Sequence, residues 1–101
     1  MLKCAPITRV ALPRVEFSPA ARADLLALYE LIYREADAAR AGAYLDRIER
    51  SCMTLGEFPM AGRAQGRGVR SLGFERRASI IYLPTPDRVL ILRILHAGRS
   101  N

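Results

Sequence analysis

Lysine is nearly missing from this chain: of sixteen Lys/Arg residues only Lys3 is lysine, and the other fifteen are arginine. Arginine keeps its proton at neutral pH, so lysine-type proton transfer is excluded beyond the first residues, and so is a phosphate loop that needs Gly-Lys before a helix. Tryptophan is absent and histidine occurs once, as His96. The two cysteines, Cys4 and Cys52, form no CxxC pair and have no histidine near them in sequence. Metal binding is therefore not expected, and no cofactor is called for. No apolar run approaches a membrane span, and MLKCAPITRVALPR is broken by Lys3, Arg9 and two prolines, unlike a signal peptide. The expected setting is a reducing cytoplasm, with no membrane partner.

What is present suits one folded domain. At 101 residues, 50% hydrophobic and 26% charged, the chain supports a single core. Its formal charge of +6 is uneven. Residues 1–57 balance eight basic against eight acidic residues, whereas residues 58–101 set eight arginines against Glu75 and Asp87 alone. One positive and one neutral face are expected, the positive one attracting polyanions or acidic proteins.

Residues 1–14, with Pro6 and Pro13 and no clear period, read as a loose arm before a domain at 15–101. Val15–Phe17 alternates as a short strand. Ser18-Pro19 is a helix-start signal, because the serine hydroxyl accepts from free amides and proline needs none at the first position. The helix should run to about Glu35 on a stripe of Ala21, Leu25, Leu28, Tyr29, Ile32 and Ala36. Leu26, Leu31 and Tyr33 fall outside it, so this helix has apolar residues to spare for a partner. Asp37 can cap a second helix carrying Ala41, Leu45, Ile48, Cys52 and Leu55, with Gly56 as its stop. The short link makes the two an antiparallel hairpin.

Phe58-Pro59 closes the helical part, and Met60–Arg67 reads as a glycine-containing basic loop. Three strands follow, at 69–74, 78–83 and 89–95, the last two joined by Pro84-Thr85-Pro86-Asp87. In the last strand Leu90, Leu92 and Ile94 face one way with His96 beyond them, and Val89, Ile91, Arg93 and Leu95 the other. Arg93 in an apolar row calls for a partner, Glu75 or Asp87, or for a ligand anion. The fold class is α+β: a strand, a helix hairpin, then a small, mainly antiparallel sheet.

Four phrases in this order, VEFSPAARADLLALYELI, LGEFPMAGR, GVRSLGF and VLILRILHAGR, resemble the ParE/RelE toxins of bacterial type II toxin-antitoxin systems. The VRS strand opening and the LRILH ending place the resemblance closer to the ParE branch. It implies β-α-α-β-β-β order and a toxin neutralised by a small, ParD-like antitoxin, with promoter DNA contacted only through that antitoxin. ParE relatives poison DNA gyrase and RelE relatives cleave ribosome-bound mRNA. RelE-like members usually rely on several lysines and a late tyrosine, and this chain has no lysine after Lys3 and no tyrosine after Tyr82. The resemblance thus implies a gyrase-binding, plasmid-stabilising toxin rather than an enzyme. The alternatives are a metal-independent ribonuclease with His96 as acid or base and Glu75 as base, and an inactive toxin kept as a co-repressor. Arg70, Arg76, Arg77, Arg93 and Arg99 are the expected target or anion contacts. Leu26, Leu31 and Tyr33 are the expected antitoxin contacts, since an apolar helix face beside basic strands suits an acidic amphipathic segment.

Overall fold

The computed structural model describes residues 14–96, so the arm before Arg14 and the expected contact at Arg99 lie outside the described residues. Arg14–Phe17 forms strand β1, and Ser18 follows in extended conformation with its Oγ accepting from the Ala21 amide at 3.0 Å. Helix α1 then spans Pro19–Glu35, as the cap and period predict. Asp37 Oδ1 accepts from the Arg40 amide at 2.7 Å and opens α2, Ala38–Thr54. Only Ala36 and Asp37 separate the helices, which therefore fold back as a hairpin. α2 ends slightly before the glycine stop: Leu55 is its C-cap, and Gly56 is buried in the turn that follows.

Four further strands complete the sheet: β2 (Arg63–Gly66), β3 (Val69–Phe74), β4 (Ala78–Pro84) and β5 (Arg88–His96). The order is β1-β5-β4-β3-β2, with β1 parallel to β5 and the other pairs antiparallel. β2 is the strand the sequence hides. All four of its residues are exposed, so no alternation of apolar side chains marks it, and the second half of the supposed basic loop is a strand only because β3 pairs with it.

The helices cover one face of the sheet. Ile80 and Tyr82 from β4 and Val89, Ile91 and Ile94 from β5 pack with Ala21, Leu28, Tyr44, Ile48, Cys52 and Leu55. In α2 Tyr44 takes the buried place expected for Leu45, which is only half-buried. The parity expected for β5 also fails, for a definite reason. Ile81 lies opposite Arg93 and Tyr82 opposite Ile91, so Leu92 is an extra residue and the strand bulges there. Past the bulge the faces exchange. Val89, Ile91 and Ile94 are all buried, whereas Arg93 and Leu95 are exposed.

The segment after α2 is tied down by one buried side chain. The Tyr82 hydroxyl donates to Pro59 O at 2.8 Å and accepts from the Gly62 amide at 2.8 Å. Arg70 Nη1 donates to Gly62 O at 2.7 Å from the same side. Gly62 is required by this contact, because a Cβ there would stand 2.7 Å from the Tyr82 oxygen and 2.8 Å from Ser71 O.

Candidate functional site

α1 ends, α2 begins, β3 turns into β4 and β5 reaches His96 at the same end of the sheet. Between them lies a cleft of about 440 Å³, with walls from Leu31, Ile32, Glu35, Arg40, Tyr44, Arg47, Arg77 and His96 among others. A shallower hollow of about 360 Å³ on the other side shares Arg77 and His96 and adds Arg76, Ser79 and Leu95. The volume of the cleft is in the range of small-ligand sites. Its floor is built by Tyr44, whose ring meets Phe74 edge-on at 5.5 Å and 76°. The Arg47 guanidinium lies 5.5 Å from the centre of the same ring.

Arg47 is also joined to the β3–β4 turn. Its Nε and Nη2 donate to the two Glu75 oxygens at 2.8 and 3.1 Å. That hydrogen bond holds the Glu75 carboxyl below its ordinary value. Burial raises the Tyr44 hydroxyl, and the Glu75 charge adds to the shift. Both phenol and carboxylate therefore keep their usual neutral-pH forms, a donor and an acceptor.

The residues singled out by sequence are distributed as follows. His96 is half-buried and lines both hollows, but Glu75 lines neither and is engaged by Arg47, so the two are not gathered as an acid–base pair in these walls. Arg70 braces the Gly62 loop. Arg93 pairs with neither Glu75 nor Asp87 but with Asp24, Nε to Oδ2 at 2.8 Å and Nη2 to Oδ1 at 3.0 Å. Arg76 and Arg77 lie at the β3–β4 turn, exposed, and make no ion pair among the described residues. The arginine excess is thus not one continuous positive face. Arg63 lies on β2 opposite Ser71 and Arg67 in the β2–β3 turn, Arg76 and Arg77 lie at the other end of β3, and Arg88 and Arg93 are held by Glu16 and Asp24.

On α1, Leu26 and Tyr33 are 60% and 55% exposed, and Tyr33 stacks on Tyr29 with ring centres 6.3 Å apart. Leu31 instead packs against the core and lines the cleft. The outward apolar stripe is therefore Leu26, Tyr29 and Tyr33, at helical spacing. Tyr44, Arg40 and Arg47 were not anticipated as site residues. The available signal was the stripe Ala41, Tyr44, Ile48, Cys52, an alternative to Leu45 that places Arg47 one turn from the tyrosine.

A helix hairpin over one face of a five-stranded mixed sheet is an α+β architecture shared with solved chains from toxin-antitoxin systems. A chain from the chromosomal ParDE TA system of P. aeruginosa matches with a TM-score of 0.76 and 26% identity, covering 84% of this chain and 96% of that one. A chain from the toxin-antitoxin complex RelBE2 of Mycobacterium tuberculosis shares the fold, with a TM-score of 0.64 and 21% identity over 92% of this chain and 98% of that one. No curated protein matches the sequence. The sequence profile described as ParE toxin of type II toxin-antitoxin system, parDE, matches residues 15–101, and the chain belongs to that family.

Proposed function

We propose that this ParE-family toxin acts by binding, with DNA gyrase as its target, and is neutralised by a cognate antitoxin encoded beside it. The observation that carries the binding reading is the commitment of the groups a ribonuclease would need. Glu75 is held by Arg47, Arg93 by Asp24 and Arg70 by the Gly62 carbonyl. Metal-free RNA cleavage asks for a base, an acid and cations that are available to the phosphate. A binding toxin needs only apolar anchors and arginines. Leu26 and Tyr33 on α1, Met53 in the last turn of α2, and Phe58 and Met60 beyond it are exposed anchors of that kind. The antitoxin partner is supported by similarity to chains of the ParDE and RelBE2 systems. Among the described residues no helix is long and apolar enough to cross a membrane.

Purified protein compared in a gyrase supercoiling assay and a ribosome-dependent mRNA cleavage assay tests the target. Inhibited supercoiling with intact mRNA is the expected result. Cleaved mRNA that becomes intact with His96→Ala would overturn it in favour of the ribonuclease. Co-expression with the neighbouring small gene should restore growth and yield a stable complex, and unimpaired growth with abundant lone protein would count against a toxin.

A further inference from the structure

The cleft at the His96 end of the sheet holds a buried donor that nothing among the described residues employs. Tyr44 is only 7% exposed, and its hydroxyl has no hydrogen-bond partner among the described residues. Leaving a phenol unpaired opposes folding, and phenylalanine would fill the same space without that cost. A partner from outside the described residues would satisfy this hydroxyl. The exposed Arg77 side chain at the rim is the part that can yield to admit it.

A second observation concerns the turn that forms one wall. Glu75 and Arg76 have φ of 51° and 62°, and the Arg77 amide donates to Phe74 O at 3.1 Å. A turn with left-handed φ at both central positions normally uses Asn-Gly. Here two long side chains occupy those positions against the steric preference of L residues, braced by the Arg47–Glu75 pair. The turn brings Arg77 to the cleft wall, with no ion-pair partner of its own among the described residues.

Charge and polarity indicate the ligand. Arg40, Arg47 and Arg77 line the cleft against a single acid, Glu35, while Leu31 and Ile32 supply an apolar wall. Arg40 and Arg77 have guanidinium groups to offer, since Arg47 is already engaged. Two guanidiniums and a phenol donor beside aliphatic side chains match a carboxylate on a short aliphatic stem. A nucleic-acid strand fits less well, because the buried Tyr44 ring, met by Phe74 and Arg47, presents no face for a base to stack on.

We propose that this cleft is a recognition pocket for a Glu or Asp side chain of an acidic peptide, with the carboxylate accepting from the Tyr44 hydroxyl and pairing with Arg77 and Arg40. The proposal deepens the antitoxin reading and rests on it only for the source of the peptide.

Titration of the ¹⁵N-labelled full chain with hexanoate, hexanamide and inorganic phosphate tests it. Hexanoate should shift the amide signals of Ile32, Tyr44 and Arg77, with hexanamide at least ~10-fold weaker, as the loss of a charge-assisted contact predicts. Tyr44→Phe should weaken hexanoate binding by ~5-fold or more while raising the unfolding temperature, because it removes a stranded hydroxyl. Arg77→Gln should abolish the preference for the acid over the amide. Equal response to hexanamide, unchanged binding by Tyr44→Phe, or phosphate displacing hexanoate at these signals would each overturn the pocket. An antitoxin that binds the Tyr44→Phe and Arg77→Gln chains as tightly as the parent would remove the pocket's part in neutralisation and leave the partner reading intact. Carboxylate binding by a chain with no antitoxin partner would do the reverse.

Discussion

Asp24 of α1 grips Arg93 of β5 through both carboxylate oxygens, and Oδ2 also accepts from the Ile94 amide at 2.9 Å. The cause is the length of β1. It stops at Phe17, opposite Ile91, so among the described residues the outer edge of β5 has no strand beside it from Leu92 onward. The first turns of α1 substitute for the missing strand: the Ser18 amide donates to Ile91 O at 2.9 Å, Ser18 Oγ donates to Leu92 O at 2.8 Å, and Asp24 receives the Ile94 amide. Ser18 therefore caps the helix and the sheet edge together. Arg93 follows the bulge to the same carboxylate, which removes it from the set of arginines free for a target.

Removing this carboxylate should loosen the junction of α1 and β5. Asp24→Ala is expected to cost about 2 kcal/mol in denaturant unfolding, since it deletes a charged acceptor and strands the Ile94 amide. Arg93→Ala should cost less, because the guanidinium is half-exposed and the amide keeps its acceptor. The pH dependence has a definite sign. The Arg93 hydrogen bond holds the Asp24 carboxyl below its ordinary value in the folded state. The unfolded chain thus takes up the proton first, and the contribution is complete above about pH 4 and lost as pH falls through the folded value. Acid titration of stability should be flatter in Asp24→Asn than in the parent.

The Tyr82 hydroxyl ties Pro59 and Gly62 to strand β4. Tyr82→Phe preserves the ring but leaves the Gly62 amide and the Pro59 carbonyl without their partner, at an expected cost of about 1–3 kcal/mol. Hydrogen exchange should report the change locally, with the Gly62 amide losing protection before the amides of α1.

Strain in the β3–β4 turn can be relieved at Arg76, where the backbone has φ of 62°. Glycine adopts this conformation without steric penalty, so Arg76→Gly should raise stability by about 1 kcal/mol in thermal or denaturant unfolding. A decrease would mean that the Arg76 side chain contributes more to the fold than its exposed position indicates.

Cys52 should be chemically silent in the folded protein. It is fully buried, and burial, with Glu49 adding, pushes its thiol up to about 12. In a Cys4→Ser chain, a thiol reagent at pH 8 should label the native protein far more slowly than the same chain in denaturant, by ~100-fold or more given the small thiolate fraction and lack of access.

The parts of the fold that depend on residues close together were legible. Both helix starts rest on a side chain accepting from an amide three residues on, so Ser18-Pro19 and Asp37 mark them in the sequence. The alternation of β4 and the turn around Pro84 are local in the same way. β2 was not legible, because its four exposed residues carry no period and its strand character comes from β3 alone. For Arg93 the sequence offers Glu75 or Asp87, the two acids in its own half of the chain, or a ligand anion. Its partner Asp24 lies 69 residues away and reaches it only because β1 is short.

The sequence by itself determined the helix hairpin, the strands that alternate and the four phrases that resemble ParE/RelE toxins, since caps, periods and turns act over a few residues. The tertiary structure alone decided which strands pair, where β5 bulges and which charges are used up. It also decided that Tyr44, Arg40, Arg77 and His96, from three separate stretches of chain, would enclose one cleft. Such placements depend on how the sheet edge and the helix hairpin meet, and no short-range pattern encodes the meeting of residues dozens of positions apart.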